Sequence, residues 1–172
     1  MIKKKICLIG AYAVGKTSLV RRFVSGIFSD NYLTTVGVKI DQRTVSVDDR
    51  EVRLMIWDLA GRDEFQAVQK SYLRGSSAFL YVIDGTRRET LDAVREEMAE
   101  IAAEYPRMTS ALLVNKHDLV DDWEITEDLL APFRQAGFLV LSTSAKTGEN
   151  VAEAFDEMAR RMLGDDAGAQ EN

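Results

Sequence analysis

Four clusters of residues have types and spacing that could do chemistry. The first, Gly10-Ala-Tyr-Ala-Val-Gly15-Lys16-Thr17, reads G-x-x-x-x-G-K-T and follows the apolar run Ile6-Cys7-Leu8-Ile9. Strand, glycine-rich turn and helix is the order a phosphate-binding loop needs. The glycines let backbone N–H groups curl around a β-phosphate. Lys16 can reach the β- and γ-phosphates, and Thr17 can offer its hydroxyl to Mg²⁺. The candidate ligand-contacting residues of this loop are Ala13, Val14, Gly15, Lys16, Thr17 and Ser18. The loop implies a nucleoside triphosphate without naming its base.

The second cluster is Trp57-Asp58-Leu59-Ala60-Gly61. Asp58 at the end of a strand can hold Mg²⁺, and Gly61 leaves a backbone N–H free to approach a γ-phosphate. Alone, this stretch reads better as a strand-ending Asp-x-x-Gly turn. The third is Asn115-Lys116-His117-Asp118, after Ala111-Leu-Leu-Val114. Asp118 can accept hydrogen bonds from both the N1–H and the 2-amino group of guanine, whereas adenine offers an acceptor at the first position and nothing at the second. Each bond to a charged group contributes roughly 1.5–3 kcal/mol, enough for two to select guanine. Lys116 can lay its stem on a face of the base, and Asn115 can tie this loop to the phosphate loop. His117 reads as an exposed variable position. In the fourth cluster, Thr143-Ser144-Ala145-Lys146-Thr147-Gly148, the Ala145 N–H could meet the guanine O6 and Lys146 could buttress the loop, with Ser144 beside them. Alone it is a strand-to-helix loop. The weight lies in all four occurring in order at successive strand ends.

Bulk properties set the frame. The chain has 172 residues, 46% apolar and 29% charged, with net charge −6. That suits one domain with a full core and disfavours binding to nucleic acid. Lys16 and bound Mg²⁺ would supply the local positive charge a triphosphate requires. The lone Cys7 sits within the first apolar run, a pattern for a reducing compartment and a buried, inert thiol. Residue 2 is Ile, and the last nine residues carry no cysteine. These segments therefore offer no lipid acceptor.

The elements that position these clusters alternate. Apolar runs at 3–9, 52–58, 78–83, 110–115 and 138–142 are rich in Val, Ile and Leu and mostly lack period-two alternation, as strands covered on both faces do. Residues 37–47 alternate and read as a half-exposed edge strand, joined by a hairpin turn around Asp48-Asp49 to the 52–58 strand. Helical spacing appears from about Gly15 (Leu19, Val20, Phe23, Val24), at Leu91, Val94, Met98, Ile101 and Tyr105, and at Val151, Phe155, Met158 and Met162. Pro132 falls inside a weaker helical segment, 124–136, and is expected to interrupt or delay it. The expected fold is α/β: a doubly wound, mostly parallel six-stranded sheet with one antiparallel edge strand and about five helices. Ligands then bind at the C-terminal strand ends. Residues 1–163 form the domain, and 164–172 are expected to be a disordered acidic tail.

On these motifs the chain resembles a Ras-superfamily small GTPase over residues 3–163. Tyr32-Leu-Thr-Thr35-Val-Gly37-Val, Leu54-Met-Ile-Trp57-Asp58 and Ser71-Tyr72-Leu73-Arg74-Gly75 resemble the Rab branch. The resemblance implies GTP or GDP with Mg²⁺, and Thr35 on the metal and γ-phosphate with Thr17 and Asp58. It further implies Phe28 edge-on to guanine, where the residues alone allow core packing equally, and Asp30 near the ribose. It makes residues 26–37 and 59–74 the two switches. Effectors, exchange factors and activating proteins would meet residues 26–40 and 59–74 of a monomer in the cytoplasm. For Trp57, Phe65 and Tyr72, core packing and partner recognition both stand. Without a lipid acceptor, the protein is expected to be soluble, recruited by another protein, a prokaryotic relative, or a domain of a longer chain. A P-loop ATPase or kinase is a more distant reading, against which Asp118 argues.

Two positions depart from the family's pattern. Asp58-Leu59-Ala60-Gly61-Arg62 places Arg62 where the family usually has the glutamine that orients the attacking water. Arginine has no acceptor and is no base near neutral pH. Tyr12 stands where many members carry a small residue, and its ring would crowd the γ-phosphate or an incoming arginine. Either hydrolysis is slow, the favoured reading, or Arg62 acts in cis with Lys16, Thr35 and Gly61 to stabilise transition-state charge. Asp63 and Glu64 could hold Arg62 away. A non-hydrolysing GTP-binding scaffold is the competing class.

Overall fold

The computed structural model describes residues 1–29, 37–59 and 70–170, with residues 169 and 170 described by their backbone alone. Six strands form one sheet in the order β2-β3-β1-β4-β5-β6. They are β1 (Ile2–Ile9), β2 (Val38–Val47), β3 (Arg50–Leu59), β4 (Ala78–Asp84), β5 (Thr109–Asn115) and β6 (Leu139–Ser142). Only β2 runs antiparallel, pairing with β3 along its whole length. Among the described residues the α-helices are α1 (Lys16–Ser25), α2 (Glu89–Ala102), α3 (Glu127–Gln135) and α4 (Val151–Gln170), with 3-10 helices at Lys70–Leu73 and His117–Asp122. The expected mostly parallel, doubly wound sheet with one antiparallel edge strand is the architecture observed.

The central strands lack alternation because successive side chains enter two different cores. Ile6 and Leu8 pack with Leu19 and Phe23 of α1 and Phe155 and Met158 of α4. Cys7 and Ile9 pack on the opposite face with Leu91 and Val94 of α2 and Leu130 and Phe133 of α3. Both faces are covered there, so Ile6 to Ile9 are apolar without a break. The β2–β3 hairpin turns through Asp48 (φ 49°) and Asp49 (φ 61°), the left-handed pair a two-residue turn requires.

Two sequence expectations need adjustment. The 124–136 segment does begin late, at Glu127, but Pro132 does not interrupt it: α3 continues past the proline to Gln135. The proline removes one intrahelical N–H donor, while burial of Leu130 and Phe133 holds the helix to the sheet. Where a disordered tail was expected from residue 164, α4 continues to Gln170. Asp166 accepts from Lys4 at 2.5 Å, and Asp165 accepts from Thr109. Those partners on β1 and β5 lie far away in sequence, which local acidity does not reveal. No helix among the described residues is long and apolar enough to cross a membrane.

β1 lies between β3 and β4, so the chain winds outward in both directions from it. The C-terminal end of β1 is the place where an α/β sheet opens a crevice for a ligand. The G-x-x-x-x-G-K-T loop leaves the sheet there.

Candidate functional site

Close packing and backbone conformation explain the glycines of the loop. A Cβ on Gly10 would stand 2.3 Å from the Val82 carbonyl oxygen. Gly15 has φ 99° and caps α1, and a Cβ there would stand 2.4 Å from Asn115 Nδ2. Ala13 is also left-handed, at φ 62°. Positive φ values interspersed with ordinary ones curl the backbone into an anion-binding concavity, and α1 adds the positive end of its dipole.

Lys16 is buried, and its ammonium donates to the carbonyls of Gly10 (3.0 Å) and Ala11 (3.1 Å). Burial pushes its pKa down, and the charges of Asp58 and Glu97 oppose that shift. Thr17 Oγ1 donates to Asp58 Oδ2 at 2.5 Å, joining the start of α1 to the end of β3. A hydroxyl beside a fully buried carboxylate is a hard oxygen-donor pair, and it fits a magnesium ion. Ser18 follows, partly buried, in the first turn of α1, and Val14 is buried under the loop.

The second loop is built from β5. Asn115 Nδ2 donates to the Val14 carbonyl at 3.0 Å, while Asn115 Oδ1 accepts from Thr143 Oγ1 at 3.1 Å. One buried amide therefore ties the first, third and fourth clusters together. Lys116, at φ 69°, donates to the Ala13 carbonyl (3.1 Å) and to Asp84 Oδ2 (2.8 Å). Asp118 is exposed, and its Oδ1 accepts from the buried Ser144 Oγ at 2.7 Å. A carboxylate has about four lone-pair sites, so Asp118 keeps acceptors for a ligand. Ala145 is buried and Lys146 exposed beside it. Phe28 is partly buried against the α1/α4 core, in line with its core-packing reading.

Residues 5–164 match the Ras family. The chain belongs to the Ras family. It is 36% identical over 163 residues to the Ras-related protein RABF2b of Arabidopsis thaliana, covering 94% of this chain and 82% of that relative. It is 38% identical over 163 residues to Ras-related protein Rab-4A of Danio rerio, with 92% and 76% covered. To human Ras-related protein Rab-30 it is 36% identical over 161 residues, with 92% and 79% covered. A Rab-like small GTPase that binds guanine nucleotide is the class these relatives support.

Within this Ras-family fold the four clusters converge as the strand order requires. Asp30, Thr35, Gly61 and Arg62 lie outside the described residues, as do Tyr32 and residues 63–65. Trp57 and Tyr72 are partly buried against the α2/α3 core, 6.2 Å apart at their ring centroids. His117 is not simply exposed: its Nδ1 lies 2.7 Å from Glu149 Oε2, and its ring lies 5.0 Å from that of Trp123.

Three structural participants carried no motif. Asp84, buried at the end of β4, accepts from Lys116, Arg87 and both the hydroxyl and N–H of Thr86. Burial raises its pKa, yet those hydrogen bonds outweigh it and hold the carboxyl below the ordinary range. A visible signal existed: Asp84 closes an apolar strand, as Asp58 and Asn115 do, and it pairs in register with Asn115. Trp123 lies over Gly85, where a Cβ would stand 2.2 Å from the indole, and its Nε1 donates to the Lys116 carbonyl at 3.0 Å. Arg87 Nη2 donates to the Tyr12 carbonyl at 2.9 Å.

Proposed function

We propose that this Ras-family protein is a guanine-nucleotide-dependent switch that binds GTP and GDP with Mg²⁺ and hydrolyses GTP slowly. The guanine assignment rests on Asp118. Its carboxylate, held by Ser144 at 2.7 Å, stands in a loop tied to the phosphate loop through Asn115. Asp118 would accept from the two guanine N–H groups, and the Ala145 N–H would meet O6. Lys116 would cover one face of the base and Phe28 its edge, with Lys146 bracing the loop and Asp30 near the ribose. Lys16 would stabilise charge on the β- and γ-phosphates, alongside backbone N–H groups from Ala13 to Ser18. Mg²⁺, when bound, would neutralise phosphate charge. Thr17 and Asp58 would hold it, with Thr35 joining in the GTP state and the Gly61 N–H meeting the γ-phosphate.

Slow hydrolysis is inferred from Arg62, which has no acceptor to orient water. Single-turnover GTP hydrolysis by the wild type and Arg62→Gln, with and without cell extract, tests it. A faster variant supports the slow-hydrolysis reading. A variant much slower than wild type makes Arg62 a finger in cis, a group worth about 10³–10⁵ in rate. Equal rates give Arg62 no catalytic part. Tyr12 bears on the same step, because it stands half-exposed in the loop where a γ-phosphate or a partner's arginine would approach.

As a switch, the protein would meet effectors, exchange factors and activating proteins through residues 26–40 and 59–74, as a monomer in the cytoplasm. Partner affinity measured in the GDP and GTP states separates this from a scaffold. A ligand without differential affinity shifts no equilibrium, so equal affinities would remove the switch reading.

A further inference from the structure

Three successive carbonyls of the phosphate loop are each held by a side chain from another strand end. Tyr12 O accepts from Arg87 Nη2 (2.9 Å), Ala13 O from Lys116 Nζ (3.1 Å) and Val14 O from Asn115 Nδ2 (3.0 Å). A trans peptide is planar, with its C=O and N–H pointing in opposite directions. The peptides have no cis bonds among the described residues. Holding these carbonyls therefore turns the N–H groups of Ala13, Val14 and Gly15 away from Arg87, Lys116 and Asn115. Those are the donors that a β-phosphate would meet in such a loop.

Two of the three holders share one anchor. Asp84 Oδ2 accepts from both Lys116 Nζ (2.8 Å) and Arg87 Nε (3.1 Å). Its Oδ1 accepts from the Thr86 N–H (2.9 Å) and hydroxyl (2.7 Å). Asp84 N–H donates to Thr90 Oγ1 at 3.0 Å, which fixes the carboxylate's own backbone to the first turn of α2. The side chain of Asp84 is 1% exposed, so water does not compete for it.

We propose that Asp84 and Arg87 are positioning residues for diphosphate binding, with Asp84 orienting Arg87 and Lys116 so that they hold the Tyr12 and Ala13 carbonyls and aim the loop's N–H groups at the β-phosphate. The inference rests on the guanine-nucleotide reading above. It assigns a role to the last residue of β4 and to one residue of the β4–α2 connection, neither of which would touch the ligand. Arg87 does this with two nitrogens of one planar fork, Nε on Asp84 and Nη2 on Tyr12 O. A lysine ammonium is one point charge without the planar fork that sets two nitrogens on the two acceptors at a fixed separation.

The test is competition of GDP and of GMP against a fluorescent GDP, on the wild type, Arg87→Ala, Arg87→Lys and Asp84→Asn. GMP lacks the β-phosphate, so it separates loop positioning from general weakening. Arg87→Ala and Arg87→Lys are expected to lower GDP affinity by about 10-fold, the scale of one hydrogen bond, and GMP affinity by less than about 2-fold. Asp84→Asn is expected to lower GDP affinity by about 10–100-fold, since two charge-assisted bonds change. Should Asp84→Asn fail to fold, the two Arg87 variants decide. Equal losses for GDP and GMP, or no loss in either, overturn the proposal. Full affinity in Arg87→Lys also overturns it. A wild type that binds neither nucleotide overturns the guanine reading along with the proposal, and that outcome is visible in the wild-type arm alone.

Discussion

At the base end of the site, Asn115, Thr143 and Ser144 are buried, and their side chains bond to one another's loops or to the phosphate loop. At the phosphate end, Lys16 is equally buried but Tyr12 is 50% exposed, and the residues expected to complete the chemistry, Thr35, Gly61 and Arg62, belong to the proposed switches. The base end is cross-linked by side chains from two strand ends, those of β5 and β6, before any ligand arrives. The phosphate end is a curled backbone whose shape depends on partners reaching it from β4 and β5. Lesions that remove only base contacts, as at Asp118, should therefore change affinity for every guanine ligand alike. Lesions at the phosphate end should discriminate by phosphate number.

The largest effect tests the phosphate end. Lys16→Ala removes a buried cation and should lower GDP affinity by at least about 100-fold, with a much smaller loss for GMP in the same competition assay. Similar losses for both ligands would break the division between the two ends. Asp118→Ala should lower GDP and GMP affinity by one common factor, about 100-fold, because it removes two bonds to the base of roughly 1.5 kcal/mol each and none to a phosphate. A change in the GDP-to-GMP ratio there would show that the ends are not separable.

Gly85→Ala sharpens the comparison from behind the base loop. Its methyl group would overlap the Trp123 ring and should cost about 1–3 kcal/mol of unfolding free energy, measured in urea. Adding Trp123→Ala should cost less than the sum of the two single changes, since the second removes the clash made by the first. Additive losses would mean that the indole does not fill that space.

The smallest effect is a pH dependence. Asp84 has a carboxyl pKa held below its ordinary value. The stability it contributes is in place above the unfolded value, about 3.9, and is lost as pH falls through the lower folded value. The stability gap between wild type and Asp84→Asn should therefore narrow as pH falls below about 4. A gap that stays constant through that window would mean Asp84 contributes through shape rather than charge.

Much of this was legible along the chain. The strand runs were found because a strand covered on both faces leaves an unbroken apolar record. Asn115 was expected to tie the loops, and its amide does reach Val14. His117 read as exposed because nothing local announces Glu149, thirty-two residues later. Pro132 reads as an interruption or a late start. The helix does start late, but it is not interrupted: propensity is local, while the burial of Leu130 and Phe133 that retains α3 is not.

The sequence by itself determined the order of elements and the loops that carry the four motifs. Both are properties of short contiguous segments, where glycine freedom, apolar runs and strand-end polar residues act over a few bonds. Only the tertiary structure decided that Asp84 anchors Arg87 and Lys116, that Trp123 needs a glycine at position 85, and that α4 continues through its acidic end. Each depends on groups brought together by the sheet order β1-β4-β5 or by packing across it. Hydrogen bonds and overlap act over a few ångströms in space, and separation along the chain does not encode that distance.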